Sequence, residues 1–291
     1  HMGASSKTAT STSTTMTWTV TDPDHWAHAA VVLKPASGGG ATISTVGAAA
    51  SSDVPQTASS HSFSYDSGNT GSDRILVVGI SYRDRNGETV NSVSYDGQTM
   101  APVGTAQSFA GTFPDGRIYI YRLLNPPTGS NLLQVGWDAS LTQGGVVGAV
   151  TYSGVDQLNP TGVFNSADGE STAPSVSIAS AANQLVFGVA AGRTTSDFSV
   201  TGGGSPLWSS RPFSGQTAGS AQSEAGGSPD VTLSWTGSNA EWVAGGVSVR
   251  PAPVGETATF TQTPTMAKSF ILPAGVTVGA EVYFTTVSGT M

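Results

Sequence analysis

Arg74 to Arg83 reads RILVVGISYR. β-Branched and aromatic residues dominate it, polar residues bound it, and no helical periodicity runs through it, which is a strand signature. Working outward, the same signature recurs in VNSVSY from Val90, RIYIYRLL from Arg117, NLLQVGWD from Asn131, NQLVFGVAAG from Asn183 and VTLSW from Val231. Turn signals separate the runs: Asp96-Gly97, Asn125-Pro126-Pro127 and Gly202-Gly203-Gly204. Short strands at this spacing without intervening helices predict an all-β protein, an antiparallel sandwich or barrel.

The runs echo one another. RILVVGISYR is answered by NQLVFGVAAGR, and LLQVGWDASLTQGGVVGAVTYSGV by VTLSWTGSNAEWVAGGVSVRPA, with Gly148 falling on Gly245. The pattern predicts an antiparallel, pseudo-symmetric β-sandwich over 39–253 with two related halves. Its closing stretch, Trp235 to Pro253, is itself matched by WTVTDPDHWAHAAVVLKPAS, Trp18 to Ser37. Residues 1–6 therefore read as tag or linker, 7–38 as terminal strands of a preceding module, and 254–291 as the start of a further β module, a window on a tandem array. His1-Met2 has the form of a cloning remnant, so an export signal would have been removed. Terminal strands seeking a sheet to complete imply head-to-tail self-association by strand addition.

The segments DRILVVGISYRD, VNSVSYDGQTM, YRLLNPPTGSN, GAVTYSGVDQLNPTG and WVAGGVSVRPA together resemble the repeated β-sandwich modules of large secreted or surface-attached bacterial proteins of the adhesin kind. The resemblance runs from about Asp73 to Ala252, and the C-terminal FTQTPTMAKSFILPAGVTVGAEVYFTTVSGTM resembles the start of a second module type. It implies a jelly-roll-like sandwich, an extracellular or cell-surface location and an architectural or adhesive role. It implies no catalytic residue.

Composition narrows the function classes. The formal charge is −8 with 10% charged residues, and the eleven basic residues are scattered singly, which excludes a nucleic-acid groove. The absence of cysteine removes disulfides, thiolate zinc sites and cysteine nucleophiles. No apolar run approaches the ~18–20 residues of a membrane span. There is no G-x-S-x-G, no H-E-x-x-H and no P-loop. His25 and His28 point to opposite faces of a strand, so they do not converge on a metal. Glu241 and Glu281 have no acidic partner at even spacing on their own strands, the arrangement a sandwich-type glucanase uses. Lys34 is matched by Arg250 in the repeat, so an isopeptide cross-link is not a shared feature.

Two candidate sites remain. In RDRNGE, Asp84, Asn86 and Glu88 alternate around Gly87 like half of a calcium loop, which makes calcium the cofactor to consider; the other reading is a polar hairpin turn. In GGGSPLWSSRPFSG, Trp208, Arg211 and Phe213 could form a platform for a polysaccharide or glycan; the other reading has Trp208 covering the open end of the sandwich. Tyr82, Tyr119 and Tyr121 are a further aromatic set, the last two on one side of their strand. The expectation is a non-catalytic structural or adhesive module, with a carbohydrate-binding module and then a polysaccharide-active enzyme as alternatives.

Overall fold

The computed structural model describes residues 41–83, 85–108, 116–213 and 217–253, all within one compact unit. The expectations for 7–38 and 254–291, Asp84 included with them, lie outside the described residues. The first half contributes β1 (Ser44–Val54), β2 (Ser60–Asp66), β3 (Ile75–Tyr82), β4 (Val90–Tyr95), β5 (Gln98–Thr99), β6 (Ala101–Gln107), β7 (Arg117–Leu124), β8 (Ser130–Trp137) and β9 (Gly145–Ser153). The second contributes β10 (Asn165–Ser171), β11 (Ser175–Ala179), β12 (Leu185–Gly192), β13 (Ser199–Thr201), β14 (Ser205–Phe213), β15 (Thr217–Ala225), β16 (Asp230–Thr236) and β17 (Ala240–Val249). Among the described residues no helix is long and apolar enough to cross a membrane.

The sheets pair as β1-β9-β3-β7-β6 with β2-β8-β4-β5, then β10-β17-β12-β15-β14 with β11-β16-β13. Leaving out β5, the second half repeats the first strand for strand. In each half the first strand pairs with the last and the second with the last but one, the rolled-up connectivity of a jelly roll. The pseudo-repeated halves read from the sequence are therefore present. Each half is already a complete two-sheet sandwich, however, and the two are stacked through their larger sheets into four layers.

Four layers need three cores, and the middle sheets must be apolar on both faces. β3 shows how. Leu76, Val78, Ile80 and Tyr82 enter the first core, whereas Ile75 and Val77 enter the middle one. β12 divides likewise, with Phe187, Val189 and Ala191 in the middle core and Val186 and Ala190 in the third. Two-sided burial explains why these strands are continuous apolar runs, while the outer strands alternate. Tyr95, Val93 and Val135 point inward, and Ser62 and Gln134 point to solvent.

The large sheets stack with β1 over β14 and β10 over β6, as an approximate two-fold relation demands. Ser81 donates its hydroxyl to the Ala190 carbonyl at 3.1 Å across this interface. The Asp96-Gly97 turn joining β4 to β5 has φ of 50° and 73°, the left-handed pair that a two-residue hairpin requires. The chain closes on itself at one pole: the Ala41 amide donates to the Ala252 carbonyl at 2.8 Å, and the Ala252 amide to the Gly154 carbonyl at 2.8 Å.

Candidate functional site

Trp208 stands on the edge strand β14, immediately after a bulge that separates Pro206 from Trp208. The bulge turns the indole into the middle core, where it is 7% exposed. It lies over Gly148 and Gly79 of the other half; a Cβ on Gly148 would run into the ring, and one on Gly79 would sit 3.1 Å from it. Phe187 meets it at 6.0 Å between centroids. A ring used in this way has no face to offer a sugar, so the expected Trp208 platform is not formed. Arg211 is held elsewhere, its Nε 3.3 Å from Asp197 Oδ1 in a partly exposed ion pair. Phe213 ends β14, and its side chain is outside the described residues.

The turn over residues 85–88 folds around its own carboxylate. Gly87 takes φ of 83°, which reverses the chain and buries Glu88 to 1% exposure. Glu88 Oε2 accepts the amides of Arg85 at 3.1 Å and Asn86 at 3.0 Å, and Oε1 accepts the Thr142 amide at 3.4 Å. The Asn86 Nδ2 reaches Oε1 at 3.5 Å. These are N–H donors, so the carboxylate is already serving backbone amides of two loops. Thr89 and Asp138 reinforce the junction at 2.6 and 2.7 Å, and those two bonds hold the Asp138 carboxyl below its ordinary value. Among the described residues no group of three or more His, Asp or Glu side chains is arranged to hold a metal ion.

The register creates one arrangement that strand spacing did not reveal. Glu170 on β10 lies directly opposite Glu241 on β17, so two carboxylates share one face at a sheet edge. Glu241 has no acidic neighbour at even spacing, and the one Glu170 has is Asp168 on its own strand, so spacing does not join the two glutamates; the signal is a cross-strand pairing over 71 positions. Tyr119 stacks on Tyr82 at 6.2 Å and on Tyr121 at 6.3 Å, so the tyrosine set is a contiguous ladder. Tyr82 donates its hydroxyl to the Glu88 carbonyl at 2.6 Å, which ties the ladder to the buried loop. His61 bonds Ser52 Oγ at 2.9 Å; burial lowers its pKa and the charge of Asp53 opposes that shift.

The outer faces are of another kind. Ser62, Gln134 and Ser94 form one row across β2, β8 and β4, with Ser60, Gly136 and Ser92 forming the next. Ser175, Ser234 and Thr201 make a comparable row across β11, β16 and β13. Compared with protein-family models, with curated proteins and with solved structures, the chain matches none.

Proposed function

We propose that this chain is a non-catalytic structural and adhesive module of a large, repetitive secreted or surface protein. The reading rests first on the resemblance of its motifs to such modules. The observation that carries it furthest is the bond between Ala41 and Ala252, where the body begins and ends at one point. A spacer set in line would have its ends at opposite poles. Ends that meet at one hydrogen bond suit an attachment element better than a spacer set in line. Its broad outer faces carry rows of hydroxyl and amide groups with little charge, the chemistry that hydrogen-bonds a neutral polysaccharide.

Retention of the purified chain on a panel of glycans and insoluble polysaccharides, with and without calcium, tests this. Saturable retention without release of soluble sugar is the expected result, and it should weaken when Ser62, Gln134 and Ser94 are replaced together. Release of soluble products would overturn the non-catalytic reading. Absence of retention on every surface would remove the adhesive role.

A further inference from the structure

The interface between the two large sheets is less symmetric than the sheets that form it. Matching strand orders and bulges places Gly104, after Pro102 on β6, where Trp208 follows Pro206 on β14. One half therefore presents a ring and the other presents none. Trp208 fills the socket over Gly79 and Gly148. The related socket over Gly245 is filled by Phe164, from the segment joining the halves, and that ring also lies against Gly104.

We propose that Trp208 and the Gly79–Gly148 socket form a pairing key. The large sheet of the first half recognises a jelly roll carrying an aromatic ring at this bulge, and the occupant can be the second half of another copy of this chain. Two first halves face to face would set Gly104 over Gly148 and leave both sockets empty, forfeiting contacts on either side. Two second halves would drive Trp208 toward Gly245, where Phe164 already sits. Each wrong pairing is disfavoured by a different fault, a void in one case and a clash in the other. Within one chain the linker holds the correct halves at high effective concentration, so the native protein satisfies its own key and stays unexchanged.

Full-length variants test this. Trp208→Gly empties the socket and Gly148→Trp blocks it; each should lower Tm by on the order of 10 °C. The double variant supplies an indole to the same space from the opposite sheet and should regain roughly half of the larger loss. Co-refolding the two single variants in equal amounts should give a two-chain species by light scattering. Exchange of halves gives it one native interface and one with the ring supplied from position 148. Additive losses in the double variant, together with monomers alone in the mixture, would overturn the proposal. If Gly148→Trp does not fold, added indole serves as the probe on Trp208→Gly: a rise in Tm absent from the native chain supports the socket, and no rise overturns it.

Discussion

The two halves share one strand order and almost nothing of the chemistry that fills it. All six described tyrosines, Tyr65, Tyr82, Tyr95, Tyr119, Tyr121 and Tyr152, belong to the first half. Where β7 pairs Tyr119 with Ile80 and Tyr121 with Val78, β15 pairs Ser220 with Ala190 and Gln222 with Gly188. The first half fills its core with rings, and Tyr65, Tyr82 and Tyr95 use their hydroxyls: Tyr95 donates to the carbonyls of Tyr65 at 3.0 Å and Gly129 at 2.9 Å. The second brings backbones close, with Leu233 over Gly188 and Ile178 over Gly246. Connectivity thus follows from where strands and turns fall, and either large or small residues can complete the layers.

The strongest test of that equivalence is the pair Trp137, last in β8, and Trp235, last but one in β16, which are 4% and 1% exposed. Trp137→Ala and Trp235→Ala should each cost about 3–5 kcal/mol, read as a fall in Tm of on the order of 10 °C. A large loss for one and a negligible loss for the other would break the comparison.

Alkaline titration sharpens it, because only the first half carries described tyrosines. Burial pushes the Tyr65 phenol up to about 12 and raises Tyr152 as well. An acid whose folded pKa is raised leaves stability intact below its unfolded value of 10.0, and stability falls as pH climbs toward the folded one. Tyr65 alone should withdraw roughly 2–3 kcal/mol between pH 10 and 12. Denaturant melts across that range check this, and Tyr65→Phe should flatten the fall.

Gly104→Ala is expected to cost about 1–3 kcal/mol by forcing Phe164 off its seat. The same change at Gly97, whose surroundings are open, would disturb only its left-handed turn. Thermal melts of the two variants separate crowding from backbone strain. The smallest effect is expected at the sheet edge: Glu170→Gln removes a like-charge pair with Glu241 and should raise stability by about 0.2–1 kcal/mol at low salt, fading as salt is added.

β3 and β12 were legible in the sequence because continuous apolar runs between polar bounds have few other uses. Their burial on both faces was not, since an isolated run does not say how many layers lie around it. Neither reading of Trp208, sugar platform or cover of the open end, placed it between the two halves, because a bulge resets which side of the strand it takes and its glycine partners lie 60 and 129 positions away. The alternation of Asn86 and Glu88 suggested a shared face, but the left-handed Gly87 between them ends the strand rule there and sends the carboxylate inward. Glu170 and Glu241 could be joined only by the register of β10 on β17.

The bond from Ala41 to Ala252 has a further consequence for engineering. A body whose two ends are one hydrogen bond apart spans no more than the gap of a surface loop in an unrelated scaffold. Residues 41–253 therefore form a graft that a host can accept without moving its own strands or helices.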